Sequence, residues 1–288
     1  MKDAVLNRYL GMYVLVAVIA TTFLVTPYSS VDPTNLPKLC LLIVVAFVAA
    51  GLVLSKRTFL LDKSFRVPLV ISGAFILQLI LVLLVDSQTF SFKFYGTPSR
   101  NTGFIAYLSL SFLLLASMAT AGYVLVKRYV WALVFAGAAL ALYGFAQSKG
   151  IDFYEFSNAY QSNVFGTFGN PNFQSAFMGI AGAAALTLAI FSSLKLLHKV
   201  ALVTFVALAV FNVSLSSQQG YLNFIAGFVA AVILYLFQKK HAILSWVVVG
   251  LFSVGILSVL LGILDRAHWQ RLFTNPRCRR VGFIGGVQ

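Results

Sequence analysis

"VFGTFGNPNFQSAFMG", residues 164–179, places turn-forming residues directly before a long apolar run. Gly166 and Gly169 permit a tight turn, because glycine tolerates positive φ angles. Asn170 is a preferred N-cap residue, and Pro171 suits the first position of a helix. The stretch therefore predicts a helix that begins at Pro171 and continues into apolar sequence.

The composition indicates that this helix lies in a membrane. Of the 288 residues, 60% are hydrophobic and 10% are charged, and the mean hydropathy is +0.92. A soluble domain of this length needs more polar surface, and the apolar runs of about 20 residues are long enough to cross a bilayer. The predicted fold is an all-α polytopic transmembrane helix bundle of about nine spans: 10–28, 39–54, 67–85, 104–126, 129–147, 172–194, 200–215, 221–237 and 242–264.

Two parts of the chain are predicted, a multi-span membrane domain at 1–264 and a cationic tail at 265–288. The tail abandons the membrane pattern and is expected to be a truncated or divergent C-terminus. The first span is long and eight more follow it, so it predicts an uncleaved signal anchor. Within the spans, Gly179, Gly182 and the alanines 183–185 predict close helix packing.

The net charge of +14 does not indicate a nucleic-acid partner, because the cations are distributed as in a membrane protein. Four cations lie in the predicted outer loops: Lys38, Lys93, Arg100 and Lys149. This asymmetry predicts a cytoplasmic N-terminus and contacts with membrane lipids on the inner side. The inner segments hold twelve of the 21 cations: Lys2, Arg8, Lys56, Arg57, Lys63, Arg66, Lys127, Arg128, Lys195, Lys199, Lys239 and Lys240.

Three predicted helix starts on the outer face follow polar sequence. They are "YGTPSRNTG" (95–103), "GTFGNPN" (166–172) and "SSQQGY" (216–221). A helix N-terminus exposes unpaired N–H groups with partial positive charge, so several starts on one face predict an anion site. Arg100 suits bidentate recognition of phosphate. Two plainer interpretations stay open: residues 166–172 form only a helix start, and Arg100 is an interfacial anchor.

Several familiar motifs are absent from the sequence. It has no Walker A motif, which argues against ATP-driven transport within this chain. It has no Cys/His metal cluster and no Asp-x-Asp pair that would chelate a metal–nucleotide substrate. Asp152 and Glu155 are three residues apart in an outer loop, where each is either a general base or a solvated acid.

Four short stretches resemble the O-antigen ligase/polymerase superfamily of bacterial inner-membrane proteins. The most specific is "VFGTFGNPNFQSAF", which resembles the signature of that family. The others are "GTPSRNTGFIAYLS" (96–109), "YGFAQSKGIDF" (143–153) and "SLSSQQGYL" (214–222). The sequence departs from the family at Gln218, where an arginine is common. The family also continues into a large outer loop with a functional histidine.

The resemblance implies a glycosyltransferase on the outer face of the bacterial inner membrane. Such an enzyme takes a glycan from undecaprenyl diphosphate and passes it to the lipid A-core, to a glycan repeat or to a protein hydroxyl. It uses no nucleotide sugar, metal ion or other cofactor. Outward helix N-termini suit a diphosphate leaving group.

The resemblance also suggests roles for individual residues. Arg100 would hold the carrier diphosphate, with Lys93 or Lys149. The sugar or phosphate would receive hydrogen bonds from three amide side chains, those of Asn170, Asn172 and Gln218. The general base is unassigned, with Asp152 and His268 as candidates.

Two other classes of function compete with this one. The first is a transporter or flippase for an anionic lipid or polyol, which broken helices or charges deep within a span would favour. The second is a non-catalytic, truncated membrane protein.

Overall fold

The computed structural model describes residues 2–26, 33–55, 63–97, 100–120, 123–153, 164–241 and 243–255. These residues form helices, 3-10 turns and loops, and none of them lies in a β-strand. Short 3-10 turns precede two of the helices, at Lys63–Phe65 and Gly166–Phe168. The α-helices are α1 Lys2–Phe23, α2 Asn35–Leu54, α3 Arg66–Val85, α4 Phe90–Tyr95, α5 Phe104–Thr120, α6 Tyr123–Ser148, α7 Pro171–Phe191, α8 Leu196–Ser216, α9 Gln219–Gln238 and α10 Ile243–Gly255.

Six of these helices are long and apolar enough to cross a membrane. They are α2, α3, α7, α8, α9 and the part of α6 from Leu125 to Ser148. This agrees with the predicted all-α membrane bundle and with its spans two, three, five, six, seven and eight.

The predicted count of nine spans exceeds the six helices that meet this length. The remaining three predicted spans coincide with shorter apolar helices, Asn7–Phe23 within α1, Phe104–Thr120 in α5 and Ile243–Gly255 in α10. Seventeen residues, the length of α5, reach about 26 Å at the rise of an α-helix, which is shorter than a hydrocarbon core of about 30 Å. The predicted end of the ninth span, at 264, lies outside the described residues.

Two groups of helices carry the buried core. In the first, α1, α2 and α5 pack together around small and branched side chains: Leu10, Val14, Ala17, Val45, Ala46, Ala49, Val53, Leu113, Ala116 and Ala119. In the second, α6, α7 and α8 bury a similar set: Val134, Leu140, Ala141, Met178, Ala181, Ala185, Ala189, Leu202, Phe205, Ala209 and Val213. Helix α1 also contacts α6, so the two groups adjoin.

Small residues set the close spacing of the helices, as the sequence predicted. A Cβ added to Gly137 of α6 would lie 2.6 Å from the Cβ of Ala181 in α7. Gly179 of α7 lies against the backbone carbonyl of Gly220 in α9, so a larger side chain has no room there. Packing of this kind replaces the hydrophobic driving force, which is absent between helices in lipid.

The chain divides into two compact units, Met1–Gly227 and Phe228–Gln288. The first unit contains α1 to α8 and the beginning of α9, together with every site residue predicted from the sequence except His268. The predicted boundary between residues 264 and 265 and the cationic tail lie outside the described residues.

Candidate functional site

A tight turn leads into helix α7. After the 3-10 turn Gly166–Phe168, Gly169 adopts the left-handed region with a φ of +66°, and Pro171 begins the helix. The side chain of Asn170 accepts a hydrogen bond from the backbone N–H of Asn172 at 2.8 Å. An N-cap of this kind satisfies one of the first unpaired N–H groups of a helix. The predicted turn, N-cap and helix start are confirmed.

Glycine is required at two positions of this turn because neighbouring side chains lie against its backbone. Gly166 has a φ of +54°, and a Cβ there would overlap the amide of Gln174. A Cβ on Gly169 would lie 2.5 Å from the hydroxyl of Thr34, which precedes α2. These approaches fix the turn against α7 on one side and against the start of α2 on the other.

Lys38, in the first turns of α2, ties the turn to α1. Its Nζ donates to the backbone carbonyl of Thr167 at 2.7 Å and to that of Thr22, near the end of α1, at 3.1 Å. The same ammonium lies 4.6 Å from the centre of the Phe168 ring. The hydroxyl of Thr167 also donates to the Thr22 carbonyl, at 2.8 Å. Because all of these partners belong to the protein, Lys38 acts as an anchor for the turn.

The end of α6 holds the other side of the turn through Gln147. Its Oε1 accepts from the backbone N–H groups of Phe165 and Gly166 at 2.9 and 3.0 Å. Its Nε2 donates to a carboxylate oxygen of Asp152 at 2.7 Å. The hydroxyl of Tyr143 donates to the other oxygen of Asp152. Asp152 is exposed, and Gln147 connects it to the backbone of the turn.

Serine side chains join the turn to α8 and α9. Ser216, at the end of α8, donates to the carbonyl of Val164 at 2.7 Å. Ser175 of α7 donates to the carbonyl of Ser217 and accepts from the N–H of Gly220, at 2.9 Å, in the first turn of α9. The starts of α7 and α9 are therefore in contact, which agrees with the predicted grouping of these two helix starts.

Gln174 lies behind the turn without a hydrogen-bond partner. The residue is fully buried, and neither its Oε1 nor its Nε2 is paired with any residue that the structure describes. Its amide lies against Gly166. An unpaired buried amide costs about 1–3 kcal/mol, so such groups are rare in folded proteins and point to a missing polar partner.

Arg100 lies in a separate loop before α5. The loop is closed by a hydrogen bond from the N–H of Gly103 to the carbonyl of Tyr95, at 3.3 Å. The side chain of Arg100 is exposed, and no carboxylate or hydrogen-bond acceptor among the described residues pairs with it. Lys93, in the short helix α4, donates to the carbonyl of Asp86 at 2.9 Å. Among the described residues, Arg100 thus has no partner for its charge, whereas Lys93 is partly engaged.

The loop and the turn lie at the same end of the helices. Leu39, the neighbour of Lys38, packs with Ile105 and Ala106 in the first turn of α5. The starts of α2, α5, α7 and α9 therefore share one end, as predicted for the last three. No hydrogen bond or ring contact between described residues joins Arg100 or Lys93 to the turn.

The amide side chains of Asn172 and Gln218 are exposed at this end. Asn172 lies in the first turn of α7, and Gln218 immediately precedes α9. Asn170 is half-buried, and its Oδ1 is engaged in the cap. The structure therefore separates one amide that serves the fold from two that face outward.

Sequence reasoning missed Lys38, Gln147 and Gln174. The charge pattern marks Lys38 only as one of four outer cations, although a lysine within the first turns of an apolar helix is itself unusual. Gln174 is a polar residue four positions after the N-cap, which is a signal that could have been used. Glu155, His268 and the tail lie outside the described residues. Among those residues no group of three His, Cys, Asp or Glu side chains could hold a metal ion.

Comparisons with known proteins identify no relative, so a functional conclusion has to rest on the residues described above. No family model, curated protein or solved structure matches the chain.

Proposed function

We propose that this protein is a membrane glycosyltransferase of the O-antigen ligase type. It moves a glycan from undecaprenyl diphosphate to an acceptor hydroxyl on the lipid A-core, on a glycan repeat or on a protein. The reaction needs no nucleotide sugar, metal ion or other cofactor.

One observation carries the proposal. At one end of an apolar helical bundle, a turn held by four helices presents the exposed amide of Asn172. The guanidinium of Arg100, which pairs with no described residue, precedes a neighbouring helix. Helix N-termini, amides and a guanidinium are the groups that bind phosphate and sugar hydroxyls. A lipid-linked glycan diphosphate offers both, and its carrier is confined to the membrane in which this bundle lies.

The proposed roles follow from what each side chain already contacts. Arg100 binds the diphosphate with its planar fork, and Lys93 adds a point charge. Asn172 and Gln218 donate hydrogen bonds to the sugar or phosphate through their exposed amides. Asn170 keeps its Oδ1 in the helix cap, so only its Nδ2 is left for a ligand.

In the proposed reaction, the acceptor oxygen attacks the anomeric carbon of the glycan. A new C–O bond forms as the bond to the diphosphate breaks, and the diphosphate leaves with the electron pair. The proton of the acceptor passes to a base, for which Asp152 is the best-placed carboxylate of the described residues, since Gln147 links it to the turn. Arg100 stabilises the charge that develops on the leaving group.

The proposal includes a topology. The three shorter apolar helices cross the membrane with the six longer ones, which gives nine spans with the N-terminus in the cytoplasm. The turn and the Arg100 loop then lie on the outer face of the bacterial inner membrane. The asymmetry of twelve inner and four outer cations supports this orientation.

A pair of substitutions at the start of α7 tests the function. The assay supplies undecaprenyl-diphosphate-linked glycan and the lipid A-core acceptor to membranes that contain the full chain, and follows gel mobility of the acceptor beside protein level. Asn172→Ala should leave abundance nearly unchanged, because the amide side chain has no capping role. It should reduce glycan transfer at least tenfold, because the proposed hydrogen bond to the sugar or phosphate is lost. Asn170→Ser should be mild in both readouts, because serine also caps helices well.

Two outcomes would count against the proposal. The first is an absence of transfer with the unaltered chain. The second is an activity in Asn172→Ala that falls only in proportion to abundance, which would mean that the turn serves as a helix start and nothing more.

A further inference from the structure

A groove of about 710 Å³ runs between α1 and α6. Its walls are apolar, and its two charged residues, Lys127 and Arg128, lie near the start of α6. The lining residues are Met12, Leu15, Ile19, Phe23, Lys127, Arg128, Trp131, Ala132, Phe135, Ala136 and Ala139. A long apolar wall with a cationic end is the shape of a single amphipathic ligand.

The groove exists because α1 and α6 do not close against each other. A second cavity, of about 280 Å³, lies on the other side of the same contact. Leu15, Ile19, Ala132 and Ala136 line both cavities, so these residues form the narrow line of contact between the helices. The two alanines on α6 leave the space unfilled.

The length of the groove matches one leaflet of a bilayer. On α1 its lining extends from Met12 to Phe23, and on α6 from Arg128 to Ala139. At the rise of an α-helix, each of these stretches is about 17 Å long. Half of a hydrocarbon core is about 15 Å, so the groove is long enough to hold the acyl chain of a lipid whose headgroup lies beside the cations.

The cations at the groove mouth are free to bind a phosphate. Both Lys127 and Arg128 are exposed. Within the described part of the chain, Arg128 donates from Nη1 to the sulfur of Met12, at 3.4 Å, and has no carboxylate partner. A thioether sulfur is a weak acceptor, so the strong donors of the guanidinium remain available. Lys127 makes no hydrogen bond or ion pair with a described residue.

We propose that this groove binds an anionic glycerophospholipid of the leaflet that faces Lys127 and Arg128. One acyl chain lies along the apolar wall between α1 and α6, and the phosphate lies between the two cations. Basic pockets between membrane helices bind anionic headgroups in this way. The cationic mouth of the groove lies at the opposite ends of the two helices from the candidate glycan site, which is held by Thr22 and Gln147, and the apolar wall of the groove extends to Phe23, the neighbour of Thr22.

Native mass spectrometry of the full chain tests the site. The purified protein is incubated with an equimolar mixture of dioleoyl phosphatidylglycerol and dioleoyl phosphatidylcholine, so the acyl chains are identical and only the headgroup charge differs. The unaltered chain should retain one phosphatidylglycerol in preference to phosphatidylcholine. Lys127→Gln and Arg128→Gln should each weaken that preference by about fivefold.

Matched variants separate the site from general electrostatic attraction. The double variant K239Q/K240Q removes two exposed lysines from a different helix end, and it should retain the preference. Ala139→Trp narrows the groove without a change of charge and should displace the bound lipid. Ala201→Trp introduces the same side chain at an exposed position of α8 and should not.

Several results would overturn the site. Equal retention of the two lipids by the unaltered chain would show that the groove does not select an anionic headgroup. The same preference in the K127Q/R128Q double variant would show that these two cations do not bind the phosphate. Full retention in Ala139→Trp would show that the acyl chain does not lie in the groove. A dimer that Ala139→Trp disrupts would identify a second copy of the chain as the occupant.

Discussion

Helices α5 and α7 begin at the same end of the molecule, but they begin in different ways. The turn before α7 is held by side chains of α2, α6 and α8 and by a backbone carbonyl of α1. The loop before α5 is closed by its own backbone, and Arg100 is exposed there and pairs with none of the described residues. The turn before α7, whose side chains and backbone are tied to four helices, is therefore mainly structural, whereas the loop before α5 carries an exposed charge that no described residue pairs with.

The same division appears within the Gly-Asn-Pro-Asn sequence. Gly169, Asn170 and Pro171 build the turn, the cap and the first turn of the helix. Asn172 contributes only its backbone N–H to the cap and leaves its side chain exposed. Three of the four residues thus serve the fold, and the fourth is the one expected to serve a ligand.

The largest effect is expected at Gly166. Gly166→Val places a β-branched residue at a positive φ and pushes its Cβ into the buried amide of Gln174. Strain and overlap together should lower the free energy of unfolding by about 3 kcal/mol or more. Thermal unfolding in detergent measures the loss.

Gly150→Val is the matched control for this prediction. Gly150 also has a positive φ, of +75°, but no described atom lies within 4 Å of a Cβ added there. The control should therefore show the strain alone. Equal destabilisation by the two variants would mean that the turn before α7 is not packed as described.

A smaller loss of stability is expected when Lys38 is replaced. Lys38→Met keeps most of the side-chain volume but removes the hydrogen bonds to Thr22 and Thr167, so the free energy of unfolding should fall by about 2 kcal/mol. Lys93→Met removes one exposed bond to Asp86 and should change stability by less than about 0.5 kcal/mol. If Lys38→Met and Lys93→Met lost the same amount of stability in thermal unfolding, Lys38 would not be the anchor of the turn.

The smallest of these effects concerns the cap. Asn170→Ala removes the acceptor for the Asn172 N–H and should cost about 1 kcal/mol, whereas Asn170→Ser should cost a few tenths. Urea or thermal unfolding of the two variants side by side measures the difference. An alanine variant as stable as the serine variant would show that the cap contributes nothing to the start of α7.

The features that the sequence predicts correctly depend on residues close together in the chain. The apolar runs, the turn glycines, the Asn170 cap and the start of α7 at Pro171 are each determined by residues a few positions apart. The contacts that hold the turn are not local, since Lys38 and Thr167 are separated by 129 positions. Likewise, Gln174 is buried because α7 packs against the turn at Gly166, and its amide has no hydrogen-bond partner among the described residues. A local sequence pattern does not predict such a contact. The number of spans is less well predicted, because hydropathy marks nine apolar runs but does not fix where each helix ends, and six of the described helices reach the length that crosses a membrane.

If Arg100 binds the carrier diphosphate, as proposed, its replacement should weaken the binding of undecaprenyl diphosphate to the protein. The full chain in detergent is titrated with undecaprenyl diphosphate, for wild type, Arg100→Ala, Arg100→Lys and the control Arg66→Ala, which removes an exposed arginine at the start of α3. Arg100→Ala should weaken binding by about tenfold or more, consistent with the loss of a charged hydrogen bond, and Arg100→Lys should recover only part, because an ammonium lacks the planar fork. Arg66→Ala should bind like wild type. Unchanged affinity in Arg100→Ala, with the protein folded, would mean that Arg100 does not bind the diphosphate.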